Sequence, residues 1–142
     1  LKFKSNYYDN LIIFNVLEHL NNPSKSFKEL NRILKKNGFL IGSTPFLYQI
    51  HGAPNDYLRF SKQYLLEEFK KNNFKTFYIK SMGYGPFVAA FSLLFSYFKF
   101  LPIINHILFS MCFIFDAFLQ IFVKTKLNEI FPLGIFFVVK KK

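Results

Sequence analysis

The sequence predicts an α/β fold built on a parallel sheet, and three observations carry that prediction. Leu11, Ile12, Ile13 and Phe14 follow one another without polar alternation, the pattern of a central strand buried on both faces. Phe27, Leu30, Ile33 and Leu34 then recur at helical spacing, leaving Lys25, Lys28, Glu29, Arg32 and Lys35 for the wet side. A second apolar run, Phe39, Leu40 and Ile41, follows as another buried strand and closes at Gly42-Ser43-Thr44-Pro45. Pro45 has no amide hydrogen, so the ladder stops there.

Between these elements the punctuation is specific. Asn15, Glu18 and His19 come just past the first strand's carboxyl end, where open α/β sheets place their ligand crevice. Asn22 then reads as an N-cap with Pro23 at the first helical position. The helix is expected to end at Asn37-Gly38, with glycine in the left-handed cap. From Phe46 to Phe60 runs an aperiodic connection that, following a strand's carboxyl end, overhangs the crevice. Ser61 caps a helix with Leu65, Leu66 and Phe69 inward and Glu67, Glu68, Lys70 and Lys71 outward. Asn72-Asn73 ends it, and Phe74 to Ile79 reads as a further strand.

Gly83 to Val123 is different material. No charged side chain lies between Met82 and Phe98, and between Phe100 and Phe115 only His106 titrates. Each run is near the lower limit of about 17 residues for crossing a bilayer. Three readings stand: a helical hairpin dipping into one leaflet, a lipid-binding lid or dimer face, or two true spans. Pro102, Asn105 and His106 are expected to form the turn between the two helices, and Asp116, Lys124 and Lys126 to close the second run. Lys99, Lys124, Lys126 and the terminal Lys140, Lys141 and Lys142 suit anionic headgroups if they fall on one side.

Composition narrows the function. The 142 residues carry a net charge of +11, which suits nucleic acid or anionic lipid alike. No Lys/Arg patch is interleaved with aromatics on an evident strand surface, so no nucleic acid partner is predicted. Lys, Asn, Ile and Phe share A/T-rich codons, which accounts for part of the charge and of the 22 Phe. The single Cys112 excludes an internal disulfide and a multi-cysteine metal site, and reads as a small buried hydrophobe.

Asp9 through Leu20, with Pro23 and the turn Leu34-Lys35-Lys36-Asn37-Gly38 before Phe39 and Leu40, resembles the late half of a class I S-adenosylmethionine-dependent methyltransferase of the type 11 kind. In that family the strand ends in a Val-Leu-Glu-His-like sequence, here Val16-Leu17-Glu18-His19, and the next strand follows a Leu-Lys-Pro-Gly-Gly-like turn. Here Lys36 and Asn37 stand where Pro and Gly are usual. The likeness continues through His51-Gly52-Ala53-Pro54-Asn55-Asp56-Tyr57-Leu58-Arg59-Phe60-Ser61, and Pro132 to Val139 resembles the family's last strand. The resemblance implies a partial Rossmann-like sheet of order 4-5-7-6 in the family's numbering. The apolar stretch, residues 83–126, would be a helical-hairpin insertion between the last two strands, and residues 1–142 the C-terminal part of one domain. The family's Gly-rich cofactor loop and its ribose-binding acidic residue have no counterpart, so a fragment inactive by itself is expected.

The resemblance also implies the chemistry. S-adenosylmethionine would be the cofactor, with Asn15 and Val16 at its methionine end. His19 is a candidate base, since an imidazole titrates near working pH; its rival role is to satisfy a loop carbonyl. His51 is an alternative base. Glu18, Asp56, Tyr57 and Arg59 are expected to line the acceptor site, Arg59 gripping an anionic group. The rival reading has Arg59 and Asp56 hold the loop shut, Tyr57 pack, and Glu18 serve the helix entry. Some family members bind magnesium through Glu-x-x-Glu-His here, but Asn15 replaces the first Glu, so no metal is predicted. The acceptor is expected to be a small molecule or a lipid-linked or envelope-glycan compound, and the protein cytoplasmic and peripheral on the membrane. The alternative is a non-catalytic membrane-associated binding protein derived from a methyltransferase.

Overall fold

The computed structural model describes residues 3–52, 55–98 and 100–142. Lys99 and the Ala53-Pro54 pair named above lie outside the described residues. The chain forms two compact units.

The first unit comprises residues 1–46, 50–80 and 135–142. Its elements are β1 (Tyr8–Phe14), α1 (Pro23–Ile33), β2 (Leu34–Pro45), α2 (Lys62–Lys71), β3 (Phe74–Met82) and the last strand, β4 (Gly134–Lys141). The sheet order is β1-β2-β4-β3, which is the expected 4-5-7-6. β1 and β2 run parallel, with Ile12 beside Ile41 and Phe14 beside Ser43, so their carboxyl ends fall together. The amide of Lys142 donates to the Asn73 carbonyl at 3.1 Å, placing the end of β4 beside the start of β3; the last two strands therefore run in opposite directions.

One sheet face holds the core. Leu40, Ile135, Phe137 and Val139 pack with Phe27 and Leu30 of α1 and Leu65 and Phe69 of α2. Phe69 is the centre, its ring 5.5 Å from Phe27, 6.0 Å from Phe74 and 4.9 Å from Phe137. The caps form as the sequence predicts: Asn22 Oδ1 accepts from the Lys25 amide at 3.0 Å, and Ser61 Oγ accepts from the Tyr64 amide at 3.2 Å.

Several expectations are corrected. β1 is the edge strand that this order makes it, and its apolar run is half wet instead of buried on both faces: Ile12 is 67% exposed and Phe14 52%. Among the described residues of this unit no helix covers that sheet face, where Phe14 and Tyr78 meet the Phe136 ring and Phe39 meets Phe77. α1 stops at Ile33, and Leu34 opens β2 while remaining fully buried. Asn37, at φ 67°, takes the left-handed conformation assigned to Gly38, because asparagine tolerates it well. Gly38 is required for space instead, since a Cβ there would lie 2.5 Å from the Asp9 carbonyl oxygen. On α2 Leu65 and Phe69 face inward as expected, but Leu66 is exposed, whereas Glu68 is buried, paired with Lys71 at 3.1 Å.

The second unit comprises residues 47–49 and 81–134. It contains α3 (Pro86–Phe98), α4 (Pro102–Phe122) and the short α5 (Leu127–Ile130). α3 and α4 pair through rings, Phe87 with Phe115 at 5.4 Å and Phe91 with Phe109 at 6.3 Å. Pro102 opens α4 at its first turn, where a missing amide hydrogen costs nothing, so Asn105 and His106 lie inside the helix rather than in a turn. Asp116 does not close the apolar run; it sits within α4, fully buried. Gln120 secures the exit of α4, donating to the Val123 carbonyl at 2.9 Å and accepting from the Leu127 amide at 2.8 Å. α4, with 21 residues, is long and apolar enough to cross a membrane by length and composition. The 13 residues of α3 extend only about 20 Å, short of the roughly 30 Å hydrocarbon core.

Candidate active site

The carboxyl end of β1 turns sharply. Asn15 adopts a left-handed conformation at φ 51°, its amide donates to the Ser43 carbonyl at 3.0 Å, and its Oδ1 accepts from Ser43 Oγ at 3.2 Å. The turn sends Leu17–His19 into one 3-10 turn. Leu17 anchors that turn in the core and carries Glu18 inward with it; Glu18 is 0% exposed.

The connection after β2 folds over this turn. The amides of Tyr57 and Leu58 donate to the Glu18 carbonyl at 2.8 and 3.3 Å, and His19 Nδ1 lies 2.6 Å from the Asn55 carbonyl. His51 is thereby brought to His19, their ring centres 5.1 Å apart. Nε2 of His19 is 3.7 Å and Nε2 of His51 3.9 Å from Glu18 Oε1. The sequence presents Glu18-His19 and His51 as separate groups; the fold makes them one.

Asp56 supports the cluster. Its Oδ2 accepts from the His51 amide at 3.0 Å and lies 3.3 Å from His51 Nδ1. Arg59 grips it bidentately, Nη1 to Oδ1 and Nη2 to Oδ2, the latter at 2.7 Å. That guanidinium, followed by the His51 amide, holds the Asp56 carboxyl well below the usual carboxylate range against the opposing effect of burial. The same bonds raise Arg59 above its ordinary value. Tyr57 contributes its amide while its ring stays half exposed.

Among the described residues, neither carboxylate oxygen of Glu18 has a hydrogen-bond partner. Sequence reasoning missed this convergence and the burial of Glu18. The available signal was weak: two histidines, each placed after the carboxyl end of adjacent parallel strands. Val16 is exposed and turns the other way, lining a cavity of about 390 Å³ with Ile13, Leu17, Leu20 and Leu30. Lys25 and Glu29 of α1 also reach that cavity. Its lining is chiefly apolar.

Residues 1–42 match the family model described as a methyltransferase domain. No curated protein matches the sequence. Among solved structures, an S-adenosylmethionine-dependent methyltransferase from Mesorhizobium loti aligns over 99% of this chain and 65% of its own, at TM-score 0.59 and 9% identity. The Haemonchus contortus phosphoethanolamine N-methyltransferase 2, solved with phosphomonomethylethanolamine and S-adenosylhomocysteine, aligns over 99% of this chain and 34% of its own, at TM-score 0.56 and 15% identity. The cyclase SpnF aligns over 99% of this chain and 52% of its own, at TM-score 0.58 and 14% identity. The chain thus spans between about a third and two thirds of the length of these structures. With its sheet order, its strand-end site and the match over its first 42 residues, the chain carries the fold of the class I S-adenosylmethionine-dependent methyltransferases.

Proposed function

We propose that the chain forms the acceptor side of an S-adenosylmethionine-dependent methyltransferase. The observation that carries this is the meeting of Glu18, His19 and His51 at the carboxyl ends of β1 and β2, where the fold binds its ligands. S-adenosylmethionine supplies an electrophilic methyl group on a sulfonium. Transfer then requires an in-line acceptor freed of its proton and shielded from water. His19 and His51 are the groups that handle that proton, and buried Glu18 stabilises positive charge developing on either ring. Asp56 orients His51, and Arg59 neutralises Asp56. Asn15 and Val16 would hold the methionine end of the cofactor.

The acceptor in this reading is lipid-linked, and the protein is peripheral on the cytoplasmic membrane surface. The exposed apolar side chains of α4, Ile103, Ile107, Ile121 and Phe122 among them, support this, with Lys124 and Lys126 just beyond the helix. A non-catalytic membrane-associated relative is the second reading, favoured by the same surface; the cyclase among the structural neighbours shows that this fold hosts other chemistry.

Calorimetric titration with S-adenosylhomocysteine separates the two readings. Saturable binding supports the first, and no binding rejects the transferase and leaves the binding protein.

A further inference from the structure

We propose that Leu47, Tyr48 and Gln49 belong to the surface through which α3 and α4 meet an anionic bilayer, and that lipid binding there orders the loop carrying His51. The inference rests on the proposed membrane association and adds a regulation of the histidine site to it. The loop after β2 is divided between the two units. Residues 47–49 fold with the second, and from Ile50 onward the chain belongs to the first. Hydrogen bonds fix the divided piece: the Leu47 amide donates to the Pro132 carbonyl at 3.2 Å, and Gln49 Nε2 donates to the Leu93 carbonyl at 2.9 Å and to Ser96 Oγ at 3.1 Å.

The part of α3 that Gln49 holds is apolar and bare. Leu93, Leu94, Phe95 and Tyr97 are all exposed, Tyr97 at 71%. Successive positions of a helix point in all directions, so this end is apolar all round, as helices in hydrocarbon are. Ser96 lies among these residues, and Gln49 meets its hydroxyl; two polar groups that satisfy each other enter lipid at lower cost than either alone. Tyr48 and Ile50, on either side of Gln49, are exposed as well, Ile50 at 87%. A tyrosine suits the headgroup level, and an isoleucine so bare gains from cover. Lys124 and Lys126, exposed just beyond α4, supply the charge that selects anionic lipid.

His51 stands two residues beyond Gln49. Its amide donates to Asp56 Oδ2 at 3.0 Å, and the amides of Tyr57 and Leu58 donate to the Glu18 carbonyl at 2.8 and 3.3 Å. This loop therefore closes the histidine cluster. Lipid that covers Tyr48 and Ile50 removes their freedom and keeps Gln49 on α3, so openings of the loop that start from that end become rarer. The coupling is reciprocal, and a closed loop strengthens lipid binding in turn.

The test reads flotation and hydrogen exchange on the same samples, with and without vesicles of phosphatidylcholine and phosphatidylglycerol in equal parts. The unaltered chain floats, and exchange at the Tyr57 and Leu58 amides slows by at least about fivefold, the lower end of coupling between sites. Gln49→Ala floats as before but loses the slowing, while the Phe87 and Val88 amides, bonded to Asp116, report that α3 and α4 remain paired. Gln49→Met, which keeps the length of the side chain without its amide, behaves like Gln49→Ala. Tyr48→Asp puts charge into the lipid surface and lowers flotation. Slowing that persists in both Gln49 variants, or flotation indifferent to Tyr48→Asp, overturns the proposal. Flotation without slowing overturns it alone and spares the membrane association; no flotation of the unaltered chain rejects both.

Discussion

Asp116, in the middle of α4, accepts a hydrogen bond from the backbone amide of Val88 at 2.9 Å, and a second from Phe87 at 3.0 Å. A helix leaves its first amides without internal partners, and its N-terminus carries partial positive charge. Here a carboxylate from the neighbouring helix supplies both needs. An acidic residue in an apolar run is thereby a structural clasp between α3 and α4.

Removing that clasp has a readable cost. Asp116→Ala leaves two amides without their acceptor and is expected to destabilise by about 1–3 kcal/mol. Gly85→Ala should act in the same direction, because a Cβ there would lie 2.5 Å from the Asp116 carboxyl carbon. Faster hydrogen exchange at the Phe87 and Val88 amides in both variants is the measurement.

Phe69→Ala empties the centre of the first unit, where three other rings meet. The expected loss is about 3–5 kcal/mol, read from the midpoint of urea unfolding. Phe69→Leu should lose distinctly less.

The pair Glu29 and Arg32 gives a pH signature. Arg32 donates to Glu29 from Nε at 2.8 Å and from Nη2 at 2.6 Å, and this holds the Glu29 carboxyl at about 2 against an ordinary 4.5. A depressed folded value means the contribution is complete above the unfolded value and is lost as pH falls from about 4.5 towards about 2. Glu29→Gln should therefore flatten part of the stability change across that window and leave the neutral range nearly unaltered.

Asn37 offers a backbone test. Its φ of 67° suits asparagine or glycine and strains other residues. Asn37→Ala is expected to cost about 1 kcal/mol and Asn37→Gly almost nothing, both measured by thermal unfolding.

Membrane association is tested with vesicles containing anionic lipid. Ile103→Asp and Ile121→Asp place charge on the two most exposed isoleucines of α4, and flotation with vesicles should fall sharply. Unchanged flotation would remove the lipid-linked acceptor from the proposal.

Much of the architecture was legible because it depends on local chemistry. Asn22-Pro23 and Ser61 announce helix starts through caps that neighbouring residues complete, and both form. Burial was less legible. Leu11 to Phe14 reads as doubly buried because its residues are uniformly apolar, yet apolarity states a preference without supplying the covering layer. Glu68 and Asp116 were misplaced for the converse reason: a charged type suggests solvent, while specific partners hold each one inside.

The amino-acid order alone settled the succession of strands and helices, the polar mouth after β1 and the apolar character of residues 83–123. Only the folded chain decided that His51 stands beside Glu18 and His19. His51 lies 32 positions after His19, and no periodicity spans that gap. Parallel pairing of Phe14 with Ser43 closes it, bringing two strand ends together so that the loops beyond them meet.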